Sequence, residues 1–300
     1  MRFKLPAGGK AALSLAVALT AAGCAGLQQE PQGALRKETV YAVTASNQLV
    51  KFNAGQPGKI LSRQPLAGLQ SGEVVLGIDY RVARGWLYGL GSSGRLYRIN
   101  TGDGAVTMVG SAPIAVMPTG SEIGFDFNPT VDRIRVVTNS TGQNMRLHPD
   151  TGAVVDSDPN APGLQVDGPL AYAPGDTHAG QTPGLAAAGY TYNKQDEKIT
   201  TNFAIDALHR TLVTQGSREG TTPAVSPNTG LLYTVGALGT GEIEKVSFDI
   251  ADVSGAAFMA ASKPGEAKST WYEVNLDSGR AARIATIGVS ERVVGIAIEP

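Results

Sequence analysis

Cysteine occurs once in the 300 residues, at Cys24. A chain with one thiol closes no internal disulfide and cannot build a cysteine-rich zinc cluster, so its fold must rest on packing. Histidine is almost as scarce, and His148, His178 and His209 show no metal-ligand spacing. A Gly-x-Ser-x-Gly elbow, a Walker loop and a dinucleotide glycine fingerprint are all missing, which removes the enzyme classes most legible in sequence. Neither sign of charge is in excess: 25 basic and 26 acidic residues leave a net charge of -1. Such a balance gives no field to hold a phosphate backbone, so nucleic acid is excluded as an expected partner. The longest uncharged apolar run, Ala11 to Ala22, falls short of the roughly 20 residues a spanning helix needs.

What is present begins with that run. Arg2, Lys4 and Lys10 precede it, and small residues follow it, which is the anatomy of an export signal. Ala21-Ala22-Gly23-Cys24 resembles the lipobox cut before a diacylated cysteine. The sequence therefore predicts a signal peptide over 1–23, a lipid anchor and membrane contact at Cys24, and a polar tether over 24–37. An ordinary signal peptide with an incidental cysteine is the alternative. Ala25, in place of aspartate, implies by lipoprotein sorting rules an outer-membrane lipoprotein of the cell envelope, facing the periplasm or the cell surface.

The remaining residues are rich in turn formers, with 38 glycines and 17 prolines in the whole chain, as suits an all-β fold. They also repeat. Gly77-Ile78-Asp79-Tyr80, Gly85 to Leu90, Arg95 to Asn100 and Ala105 to Gly110 read as four short strands. The same order recurs from Gly124-Phe125-Asp126-Phe127 to Val155, and from Ser247-Phe248-Asp249-Ile250 to Gly288. Gly102-Asp103-Gly104, Asp150-Thr151-Gly152 and Asp277-Ser278-Gly279 hold equivalent places, as hairpin turns and not as ligand loops. The first unit, Tyr41 to Ser62, lacks its first strand, and Gly295-Ile296-Ala297-Ile298 at the chain's end supplies it. The reading is one β-propeller over 38–300, closed by the C-terminal strand. Leu170 to Gly236 reads as one enlarged blade, giving five blades; a sixth hidden around Thr201 to Gly216 is the alternative.

Gly124 to Pro129, Asp132 to Val137 and Gln143 to Leu147 resemble the domain-of-unknown-function family 4394, with support from Leu87 to Leu90, Thr211 to Gln215, Thr234 to Gly239 and Phe248 to Ile250. The likeness implies a secreted or envelope propeller-like domain and carries no reaction with it.

The polar residues concentrate in one repeat. Asp126, Asn128, Asp132, Arg133, Arg135, Asn144 and Arg146 form the candidate ligand site, because alternation gathers Arg133 and Arg135 on one strand face and Asn144, Arg146 and His148 on the next. Guanidinium forks suit a carboxylate or phosphate. The competing reading is an Asp–Arg lattice between blades, with Asp126 or Asp132 as partner. Asp79, Asp126 and Asp249 take equivalent inner-strand places and are candidate calcium ligands, with Ala297 and Ala171 expected at the other two places. A calcium loop over Asp156 to Asp167 is disfavoured by Ala161, where the loop needs glycine. The functional expectation is a binding or scaffold module for a protein, glycan or small anion, not an enzyme and without a required cofactor. The alternatives are a metal-dependent lactonase-like hydrolase and an outer-membrane assembly factor.

Overall fold

Twenty short strands, grouped into five largely antiparallel sheets, make up the computed structural model, which describes residues 1–3 and 33–300. Cys24 and all but the first three residues of the export signal expected before it lie outside the described residues. Among the described residues no helix is long and apolar enough to cross a membrane.

Blade one joins β1 (Thr39–Thr44), β2 (Gln48–Asn53) and β3 (Ile60–Pro65) to the last strand, β20 (Val293–Ile298). Val40 pairs with Ile298 and Ala42 with Ile296, so the two ends of the domain close one sheet, as the repeat phase requires. Blade two holds β4 (Val75–Arg81), β5 (Trp86–Gly91), β6 (Leu96–Ile99) and β7 (Val106–Val109). Blade three holds β8 (Ile123–Asn128), β9 (Arg133–Thr138) and β10 (Asn144–Leu147). Its expected fourth strand shrinks to a single bridge, Leu147 to Val154, after which the chain leaves the sheet on a loop that delivers Asp167.

Blade four is the enlarged one. It runs β12 (Leu185–Tyr190), β13 (Asn202–Asp206), β14 (Thr211–Gln215) and β15 (Leu231–Ala237), with β11 (Ala171–Tyr172) added in parallel at the outer edge. β13 and β14, where a sixth blade could have hidden, are therefore the middle of this sheet. Blade five is β16 (Lys245–Ile250), β17 (Ala257–Ser262), β18 (Thr270–Val274) and β19 (Ala281–Thr286).

Alternating apolar residues on each strand pack between blades and not inside one central core. Phe52 of blade one meets Trp271 edge-on, Phe258 of blade five stacks on the same indole, and Trp271 Nε1 donates to Ala54 O at 3.0 Å. Trp86, by contrast, is half-exposed beneath the Arg98 guanidinium and is no interface residue. Toward the axis the inner strands crowd. A Cβ at Gly124 would lie 2.8 Å from Ala188 N and 2.9 Å from Ala187 C, so only glycine permits that approach. The seam between blades three and four has the smallest apolar cluster, and a polar network fills the rest.

Candidate functional site

Five inner strands place equivalent residues around the axis: Asp79, Asp126, Asp249, Ala297 and Gly189. Ala171 is not the fifth. It sits on the outermost strand of blade four, and β12 supplies the inner position instead. The shift arises because the chain enters this blade at its rim before reaching its centre.

Three carboxylates serve all five of the following backbone N–H groups. Phe127 N donates to Asp79 at 2.7 Å, Tyr190 N to Asp126 at 3.0 Å and Ile298 N to Asp249 at 2.6 Å. Each of these bonds crosses to the next blade. Where the preceding blade offers only Gly189 or Ala297, the N–H turns to its own aspartate: Ile250 N to Asp249 at 2.6 Å, and Tyr80 N to Asp79. The trio thus ties neighbouring blades through backbone amides, and no arginine joins it.

One oxygen from each of Asp79, Asp126 and Asp249 lies within 4.8 Å of the others, which among the described residues is the single grouping of three or more potential metal ligands. Burial, and then the neighbouring carboxylates, hold the Asp79 and Asp126 pKa values well above the ordinary range. Burial pushes Asp249 to about 6, and burial with the Asp249 charge pushes Asp252 to about 7. The trio could contact a cation, but Gly189 and Ala297 offer it no side-chain oxygen, and a hard cation wants six or more.

The arginines have a different address. β9 and β10 pair with Arg135 opposite Arg146, and both guanidiniums converge on Asp167. Arg135 Nη1 reaches it at 2.5 Å, while Arg146 holds it in a two-pronged grip, with Nε and Nη2 each at 2.8 Å. The side chains of Arg135 and Asp167 are each 1% exposed. The expected carboxylate partner, Asp126 or Asp132, is thus corrected to Asp167. Asp126 faces the axis, and Asp132 turns toward blade two, where Arg81 takes it at 2.5 Å and Asp150 at 2.5 Å. An Asp–Arg lattice between blades therefore exists, with Asp132 in it as the partner of Arg81 and Asp167 as the partner of Arg135 and Arg146.

Asn144, fully buried, accepts from Arg135 Nη1 at 2.7 Å and Gln215 Nε2 at 2.9 Å. Its own amide donates to Gly168 O and Pro227 O, so all its polar capacity is spent inside. Arg135 also donates to Tyr190 Oη and Asn228 Oδ1, both neutral. Two guanidiniums therefore share one carboxylate, and this floor keeps one positive charge in excess.

Above the floor opens a cleft of about 740 Å³ between blades three and four. Of the candidate residues, Asn128, Arg133 and Arg146 line it; Arg135 and Asn144 lie beneath; Asp126 and Asp132 are elsewhere. Asn128 folds its side chain back onto Thr130. Lys198, Arg218 and Glu219, which sequence reasoning did not single out, complete the charged lining. Glu219 is occupied by Thr191 and Asn193, whereas Arg133 Nη2, Arg146 Nη1 and Lys198 Nζ find no acceptor among the described residues. The histidines meet unexpectedly, His178 and His209 with ring centres 4.7 Å apart beside Asp206, but they recruit no third ligand among the described residues.

Five blades around a closed axis, with ligand-sized space on one face, define a β-propeller. The chain belongs to the family described as "Domain of unknown function (DUF4394)", whose model matches residues 48–297. No curated protein matches it. Among solved structures, one described as the nidogen/laminin complex is 10% identical, covering 88% of this chain and 98% of that one, with a TM-score of 0.46. A putative 6-phosphogluconolactonase from Bacteroides uniformis is 12% identical, covering 84% and 83%, with a TM-score of 0.40. At that distance neither speaks to a ligand.

Proposed function

We propose that this propeller is a binding module of the cell envelope, held to the outer membrane through Cys24, whose blade-three to blade-four cleft takes a small anionic ligand. One observation carries the reading: Arg135 and Arg146 share the single carboxylate of Asp167, so the cleft floor holds an uncompensated positive charge. A buried guanidinium retains its proton, and in a low-dielectric setting its excess charge attracts an anion more strongly than a surface lysine would. Arg133 and Lys198 stand at the walls with donors to spare. Propellers often bind through one face, which is an analogy of fold and adds no detail.

Arg133→Ala is expected to weaken binding of inorganic phosphate by about ten- to a hundredfold, the loss of one charge-assisted contact of roughly 1.5–3 kcal/mol. Titration calorimetry at low and high salt checks it, since the interaction should also fade with ionic strength. Phosphate, sulfate and citrate binding equally well to wild type and variant, or not at all, would overturn the reading. A second reading, a metal-dependent hydrolase, draws on the closeness of Asp79, Asp126 and Asp249.

A further inference from the structure

The axial hydrogen bonds place the inner strands at one height. Asp79 reaches Phe127, Asp126 reaches Tyr190 and Asp249 reaches Ile298, each near the C-terminal end of its strand. These ends therefore share one face of the ring. Asn128, the last residue of β8, lines the cleft, so the cleft opens on that face. Thr39 opens β1 and its carbonyl accepts from Glu299 N, just past the end of β20, so the chain enters the ring on the same face. Residues leading to it stay there: Arg36 grips Glu273 with both Nη atoms, and its guanidinium lies over Phe258.

From Gly33 back to Cys24 the chain reaches at most about 30 Å, at roughly 3.3–3.6 Å per residue. An anchor at Cys24 would keep Gly33, where the chain joins this face beside blade one, within that distance of the bilayer. The cleft also carries exposed aliphatic side chains next to its cations: Val131 is 54% exposed beside Arg133, and Ile199 is 37% exposed beside Lys198. No aromatic ring lines it, so it lacks the stacking platform that a neutral sugar would use.

We propose that the cleft's ligand is an acidic membrane lipid, its headgroup held by Arg133, Arg146 and Lys198 and the start of its acyl chain against Val131 and Ile199. This rests on the anion-binding reading and on the anchor at Cys24, and adds the ligand's source and its apolar part.

The test uses the full-length lipidated protein in phosphatidylcholine vesicles with or without phosphatidylglycerol. A photo-crosslinking amino acid replaces Ile199 or, as control, Val74, an equally exposed aliphatic residue just before β4 and so on the opposite face. The expected result is a lipid adduct from position 199 and not 74, dependent on phosphatidylglycerol, and lowered about fivefold by Arg133→Ala, the share of one basic residue at an anionic surface. Adducts from both positions, adducts independent of phosphatidylglycerol, or none would overturn it. Inorganic phosphate binding separates the two failures: phosphate bound without lipid adducts sinks this inference alone, while no phosphate binding sinks the anion site itself.

Discussion

Asp167→Ala is expected to destabilise the protein by about 3–5 kcal/mol, because removing one partner of a buried ion cluster strands the charges that remain. Here two guanidiniums would be left, Arg135 with its side chain 1% exposed and Arg146 at 19%. Their other partners, Asn144, Asn228 and Tyr190, are neutral and cannot replace the carboxylate. For a domain of this size the loss corresponds to a fall in Tm on the order of 10 °C. Asp167→Asn should fall less, since one amide oxygen still accepts. Thermal and denaturant unfolding of the two variants check this; a loss under about 1 kcal/mol in Asp167→Ala would mean that the carboxylate does not compensate the arginines.

Asp126→Asn should do the reverse and stabilise the protein above neutral pH. The folded pKa values of Asp79, Asp126, Asp249 and Asp252 all lie above the usual aspartate value, Asp249 at about 6 and Asp252 at about 7. Raised acids bind more protons folded than unfolded. Their contribution is therefore fully present below the unfolded value near 3.9 and is lost as pH rises through the folded values. Asparagine keeps an oxygen for Tyr190 N–H and removes one carboxylate from the axis. The wild-type Tm, measured in chelator, should fall between about pH 5 and pH 8, and the variant should fall less, gaining a few degrees at pH 8. Carboxylates held low, Asp150 and Glu273 by their arginines and Asp176 by the Thr234 and His178 amides that outweigh its burial, act in the opposite sense only at more acid pH. A Tm that rises through neutrality, or a variant weaker than wild type at pH 8, would contradict the account. Calcium that flattens the wild-type profile would instead favour the hydrolase.

The ring was legible because its signals are local and periodic. Gly104, Gly152 and Gly279 all adopt the left-handed conformation their hairpins need, and the unpaired C-terminal strand announced its partner. Blade three's missing strand and the rim position of Ala171 were not legible, since nothing in a short apolar stretch says whether a long loop will draw it from its sheet. The site was half legible. Alternation brought Arg135 and Arg146 together, but their carboxylate comes from a loop between blades, where Asp167 looks like any polar loop residue. Lys198, Arg218 and Glu219 lie in the next blade, and only the packing of two sheets makes them neighbours of Arg133. Asp79, Asp126 and Asp249 were found by their repeat phase, which fixed their position and left their hydrogen-bond partners open.

The positive floor of the cleft is tested most directly by soaking crystals in sodium bromide and mapping the anomalous signal. A bromide peak between Arg133 and Arg146, lost in Arg133→Ala, is the predicted result. Bromide bound elsewhere on the surface, with none in the cleft, would contradict it.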